Sequence, residues 1–221
     1  MQILVISSKE KYRSEVPNVI RLFAAGLEIF HLRKPRFSLK RMEDYLDQIP
    51  TKYHNRIVVH SFHELAKTYD LRGIHLTKRH KKTRFSTAWR CFLLKLKKPR
   101  LTISTSCHDL TKLDDYSSKY DYVMLSPVYD SISKTGRQAA YAYGTIKKTI
   151  KEIGRNNIYA LGGVNASKIE DTELLGFGGV ALLGSVWHSN KNPVDVYNES
   201  VDVMIGRKQS KIETSSAKIE V

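Results

Sequence analysis

The chain is poor in cysteine, with only Cys91 and Cys107 in 221 residues. Two thiols cannot build a disulfide framework or a four-thiolate zinc site, so a reducing cytoplasm is the expected setting. No stretch approaches the roughly 20 consecutive apolar residues of a membrane helix, which excludes a helical spanning protein. The opening residues, Met1-Gln2-Ile3-Leu4-Val5-Ile6, lack a basic n-region and a cleavage site, and no signal peptide is expected. Acidic residues are scarce beside basic ones. Asp and Glu number 22 against 37 Lys and Arg, a formal charge of +15. A field of that sign favours anionic partners such as phosphorylated metabolites or nucleic acid, although a solvated basic surface explains the same number. What is present is ordinary for a globular protein: 41% hydrophobic and 27% charged residues. The length suits one domain with a core that needs no staples.

Eight short apolar runs rich in β-branched residues read as strands: 3–7, 27–33, 57–60, 73–77, 101–106, 122–128, 158–162 and 179–184. Several are continuously apolar, as in Tyr122-Val123-Met124-Leu125, the pattern of a parallel strand buried on both faces. Helical spacing lies between them. Val16, Val19, Ile20 and Phe23 share a face after an N-cap at Ser14, and Leu39, Met42, Leu46 and Ile49 do so after Ser38. Ile146, Ile150 and Ile153 mark a helix closed by Gly154, and Asn165 begins one that stops at Gly176. Residues 83–98 are more weakly helical, with Phe92, Leu93 and Leu96 as the apolar face. Strand alternating with helix eight times predicts a (β/α)8 barrel over residues 1–206. The polar, Lys- and Ser-rich tail 207–221 is expected to be disordered.

In a barrel, functional residues sit at the C-terminal ends of the strands. Two features there bear on phosphate. The loops after strands seven and eight carry Gly162, Gly163, Gly184 and Ser185, where backbone N–H groups can approach an anion closely. Arg33 and Lys134, with hydroxyls at Ser106, Ser131 and Ser133, can neutralise a departing pyrophosphate. The histidines are read conservatively. His60 and His63, followed by Glu64, are not the H-E-x-x-H zinc pattern, and they straddle a strand-to-helix junction. Cys107 and His108 are neighbours on a strand and point to opposite faces, so they cannot form a thiol–imidazole pair. His31 and His75 lie within strands and are expected to be buried, hydrogen-bonded core residues. No metal ligand is assigned.

The runs His31-Leu32-Arg33, Gly73-Ile74-His75-Leu76, Ser106-Cys107-His108, Ser126-Pro127-Val128-Tyr129 and Ala160-Leu161-Gly162-Gly163-Val164, in this order, resemble thiamine-phosphate synthases. The resemblance spans the first strand to about Trp187, and the same superfamily includes thiazole tautomerases. It implies a (β/α)8 barrel of thiamine biosynthesis that joins hydroxymethylpyrimidine pyrophosphate to thiazole phosphate. Pyrophosphate leaves, and the thiazole nitrogen captures the pyrimidine cation. Carried over by position, the resemblance implies Arg33, Ser106 and Lys134 as catalytic residues. It implies Lys34, His60, Ser131, Ser133, Gly163, Leu183, Gly184 and Ser185 as substrate contacts, Lys34 standing in for a family lysine that is Pro35 here.

The family uses Mg²⁺, yet its Asn-Asp pair after strand three reads His60-Ser61, and its aspartate after strand four reads His80. Histidine is a poor ligand for so hard an ion. The basic run Lys78-Arg79-His80-Lys81-Lys82 is a candidate substitute for neutralising pyrophosphate. The loss of both carboxylates makes a catalytically weakened, phosphate-binding or regulatory barrel the alternative. A tautomerase is disfavoured because the family's strand-six histidine is Pro127. A nucleic-acid role is disfavoured because no recognition motif accompanies the scattered basic residues. Small phosphorylated substrates are the expected partners, with no membrane, and a homodimer is the expected oligomer.

Overall fold

A computed structural model describes residues 1–9, 14–130 and 141–216. Eight strands alternate with helices as expected: β1 (Gln2–Ile6), β2 (Ile29–Leu32), β3 (Ile57–Val59), β4 (Gly73–Leu76), β5 (Thr102–Cys107), β6 (Tyr122–Leu125), β7 (Ile158–Leu161) and β8 (Gly179–Leu182). They form a closed barrel in chain order. Every pairing is parallel, and Leu4 of β1 faces both Ile29 of β2 and Ala181 of β8. The helices are α1 (Glu15–Ala24), α2 (Leu39–Asp47), α3 (Leu65–Thr68), α4 (Lys78–Lys82), α5 (Arg84–Lys97), α6 (Leu113–Lys119), α7 (Tyr143–Ile153), α8 (Ile169–Leu174), α9 (Gly184–Trp187) and α10 (Pro193–Ser216).

Strand alternation divides the apolar residues into two cores. Leu4, Ile6, Ile29, Val58, Tyr122, Met124, Tyr159 and Ala181 fill the barrel interior. Phe30, Leu32, Ile57, Val59, Ile74 and their like face outward, under the helices. The interior narrows at Gly179, where a Cβ would lie 2.3 Å from the Tyr159 ring. Glycine there admits the tyrosine, whose hydroxyl donates to Gln2 Oε1 at 2.5 Å. The same alternation sends His31 of β2 and His75 of β4 inward, and, continued one residue past β3, His60 as well.

Local signals behave unevenly. Ser38 accepts from Arg41 N, and Gly154 takes the left-handed C-cap conformation that closes α7. Ser14 stands at the N-cap of α1, but its side chain makes no capping bond. The apolar face read for 83–98 is a correction. Phe92, Leu93 and Leu96 are exposed, as are Phe85 and Trp89, while Leu94 and Thr87 are buried. The helix packs with the opposite side because Leu94 joins the outer core and Lys98 Nζ caps the Tyr69 carbonyl at 2.6 Å. Among the described residues, no helix is long and apolar enough to cross a membrane.

Candidate active site

The C-terminal ends of the strands open into a cavity of about 1430 Å³. One wall is the pair of glycine loops. Gly163 has φ +68°, and a Cβ there would lie 2.4 Å from the Asp130 carbonyl oxygen. No other residue fits this turn without displacing the strand-six loop. Leu183, Gly184 and Ser185 line the same wall. The Ser185 hydroxyl is buried and has no hydrogen-bond partner among the described residues. A buried, unsatisfied hydroxyl costs on the order of 1–3 kcal/mol unless something accepts or donates to it.

The strand ends away from these glycine loops are basic. Arg33, Lys78, Arg79 and Lys81 line the cavity there. Arg33 is held by its main chain: its N–H donates to Ser7 Oγ at 2.8 Å, and that hydroxyl donates to the Arg33 carbonyl at 3.1 Å. Its guanidinium makes no ion pair among the described residues. Burial lowers its pKa, yet a guanidinium remains charged at neutral pH. Lys81 donates to the Ser106 carbonyl at 2.9 Å. Among the described residues, the single carboxylate in the lining is Glu199, paired with Lys191.

Imidazoles form the floor. His31 Nδ1 lies 2.9 Å from His60 Nε2, one donating and the other accepting, and His31 Nε2 lies 2.6 Å from the Tyr122 hydroxyl. His60 stacks on His75, with ring centroids 4.1 Å apart. His75 touches Ser104 Oγ through Nδ1 at 2.9 Å and Ser106 Oγ through Nε2 at 3.1 Å. Burial, reinforced by the charge of Arg72, pulls His31 down to about 3. Burial and the neighbouring rings hold His60 and His75 well below the ordinary imidazole range. Beside the floor, burial first and His80 second pull His63 down to about 4. The rings of His63 and His80 lie 4.3 Å apart.

These histidines fix an acid response. Folded-state values below the unfolded 6.5 mean that the unfolded chain binds protons first. Stability is then complete above pH 6.5 and is lost as pH falls toward 4 and 3. Each such histidine contributes a slope of up to about 1.4 kcal/mol per pH unit in that window. Urea titrations of the metal-free protein at pH 7, 6 and 5 should show the decline, and His63→Asn should flatten it. Removing the Tyr122 hydroxyl orphans a buried His31 nitrogen. Tyr122→Phe should therefore cost about 1–3 kcal/mol in the same titration at pH 7.

Of the residues expected at the site, Arg33, His60, Ser106, Gly163, Leu183, Gly184 and Ser185 line this one cavity. Lys34 does not. It is buried against Glu15 and donates to the Ser8 carbonyl at 2.7 Å, outside the barrel. The reason is alternation: Arg33 continues the inward set of β2, so Lys34 points to the helix layer. Ser131, Ser133 and Lys134 lie outside the described residues. Cys107 Sγ donates to the Asp109 carbonyl and His108 Nδ1 meets the Ser126 carbonyl, so these two stay apart as expected. The floor cluster was not foreseen. The available signal was that one inward histidine falls near the end of each of three consecutive strands.

Magnesium does not fit the described lining. Ser61 and His80 stand outside the cavity, His80 Nδ1 accepting from Thr77 N at 3.2 Å. The lining offers nitrogen donors and one carboxylate already paired with lysine, whereas Mg²⁺ demands oxygen.

A closed parallel barrel with a glycine-walled, cationic cavity at its C-terminal face defines a (β/α)8 protein. Residues 3–186 match the model of the thiamine monophosphate synthase family, and the chain belongs to that family. It is 22% identical over 170 residues to a thiamine-phosphate synthase of Klebsiella pneumoniae, covering 75% of this chain and 77% of that one. The crystal structure of a thiamine phosphate pyrophosphorylase from Bacteroides thetaiotaomicron superposes with a TM-score of 0.72 at 26% identity, covering 92% and 98% of the two chains. One from Pyrococcus furiosus shares the fold, with a TM-score of 0.69 at 17% identity over 91% and 94%.

Proposed function

We propose that this chain is a thiamine-phosphate-synthase-like transferase, coupling hydroxymethylpyrimidine pyrophosphate to thiazole phosphate. The observation that carries the reading is one cavity holding two unlike anion walls. A glycine loop with the unpartnered Ser185 hydroxyl suits a phosphate monoester. Elsewhere in the lining, Arg33 after β2 and the α4 lysines after β4 suit a more highly charged pyrophosphate. Two phosphorylated substrates can then meet with their reacting ends between the walls.

In the reaction, the bond from the pyrimidine methylene carbon to the pyrophosphate oxygen breaks, and its electron pair leaves with pyrophosphate. The thiazole nitrogen lone pair then forms the new carbon–nitrogen bond. Arg33 stabilises charge that grows on the leaving oxygen, an interaction stronger in the transition state than before it. Ser106, oriented by His75, adds a hydroxyl donor beside it. Lys134, with Ser131 and Ser133, is assigned to the same leaving group by family position. Gly163, Gly184 and Ser185 hold the thiazole phosphate, and His60 borders the pyrimidine.

The test mixes the purified protein with both substrates and follows thiamine phosphate by chromatography, with and without added Mg²⁺. Product is expected in both, with no acceleration by magnesium. The lost carboxylates favour one second reading, a barrel that binds phosphate compounds without joining them. Binding of both substrates with no product under either condition would favour it.

A further inference from the structure

We propose that His31, His60 and His75 form a binding site for one borderline divalent transition ion of the zinc type, at the floor of the barrel cavity. The observation is geometric. One nitrogen from each ring can be chosen so that all three lie within 4.8 Å of one another. A Zn²⁺–imidazole bond is about 2.0–2.1 Å, so each ring has to close by less than about 1 Å to share an ion. The 2.9 Å contact between His31 Nδ1 and His60 Nε2 already places two ring nitrogens at ligand spacing. In it one nitrogen donates and the other presents its lone pair, so an ion that takes both displaces the shared proton, which moves to the donor ring's other nitrogen.

The surroundings have the form of an outer ligand shell. When His31 binds through Nδ1, its Nε2 is held by the Tyr122 hydroxyl at 2.6 Å. Whichever nitrogen His75 offers, the other is held by Ser104 or Ser106. Such partners fix the tautomer and aim of a ligating imidazole. His60 and His75 reach the cavity and His31 lies behind them, so three protein ligands leave a coordination position toward the cavity. Three imidazoles without a carboxylate select zinc, cobalt or copper over magnesium. The cations along the wall, Arg33 and Lys81 among them, favour an anion in the open position: hydroxide, or a phosphate oxygen. That last assignment, phosphate as the fourth ligand, rests on the proposed function; the metal site itself does not.

The test counts metal and reads its geometry on the full chain, without turnover. The protein is stripped by chelation, dialysed, and titrated with Co²⁺ and, separately, Zn²⁺. About one tightly held ion per chain is expected, with the intense visible bands of four- or five-coordinate Co²⁺ on nitrogen ligands. His60→Asn should weaken binding at least 100-fold, Tyr122→Phe about 10–100-fold, and His63→Asn and His188→Asn should leave it unchanged. The titration of wild-type protein stands alone if a floor variant fails to fold. Sub-stoichiometric binding, the weak spectrum of six-coordinate Co²⁺, or a site that survives His60→Asn or is lost with His63→Asn would overturn the proposal. None of these results decides whether thiamine phosphate forms, so the two proposals fail separately.

Discussion

Replacing Glu15 by alanine is expected to destabilise the fold by about 3–5 kcal/mol, as much as truncating a large core side chain. Glu15 and Lys34 are each only 2% exposed, and Lys34 Nζ sits 2.5 Å from Glu15 Oε2. Tyr45 donates to the other carboxylate oxygen at 3.0 Å. Burial pushes the Glu15 carboxyl up, and Lys34 opposes that shift. Two desolvated charges are tolerable only together. Alanine leaves a buried ammonium without its counter-charge, and that residue is a large fraction of the 5–15 kcal/mol that holds a typical domain together. The double variant Glu15→Ala, Lys34→Met removes both charges and should recover most of the loss. Urea unfolding of the three proteins at pH 7 measures this. A single variant within about 1 kcal/mol of wild type would show that the pair is not buried as described. Lys34 changes should also leave anion affinity untouched in any variant that folds, because its ammonium faces α1 and not the cavity.

Arg33→Ala is expected to weaken inorganic pyrophosphate binding about 10–150-fold, the loss of one charge-assisted contact of about 1.5–3 kcal/mol. The Ser7 clamp fixes the Arg33 main chain at the cavity rim. Nothing else among the described residues competes for it. Arg33→Lys restores charge without the two-pronged geometry and should recover only part of the affinity. Because the side chain makes no structural ion pair, the melting temperature should move little. Titration calorimetry with pyrophosphate reads the effect, and the salt dependence of binding should be shallower in the alanine variant. Equal affinities for wild type and Arg33→Ala would remove the arginine from the site.

The barrel was legible because parallel strands buried on both faces leave continuous apolar runs, and eight of these punctuated by helical spacing fit few alternatives. The strand-end rule then carried most of the cavity: Arg33, Ser106, Gly163 and Ser185 all line it. It failed at Lys34 because sequence adjacency to Arg33 says nothing about side; the two-residue period of a strand does. It failed at α5 because a 14-residue amphipathic pattern (Arg84–Lys97) shows where apolar residues cluster and not which cluster meets the core. The histidine floor was hidden for a third reason. Its members come from β2, the end of β3 and β4, and only the register of closure brings them level. Each of them alone resembles a satisfied core histidine, as His31 and His75 indeed are.

The most direct measurement for the proposed transferase is a single turnover with enzyme in excess over both substrates, quenched over time and analysed by mass spectrometry. Excess enzyme removes product release from the kinetics and exposes even slow bond formation. Thiamine phosphate and pyrophosphate are expected in equal amounts, up to the limiting substrate, with their formation slowed in Arg33→Ala by about the factor lost in pyrophosphate affinity. Recovery of both substrates intact from wild-type protein, under conditions where calorimetry shows both bound, would contradict the proposed transferase.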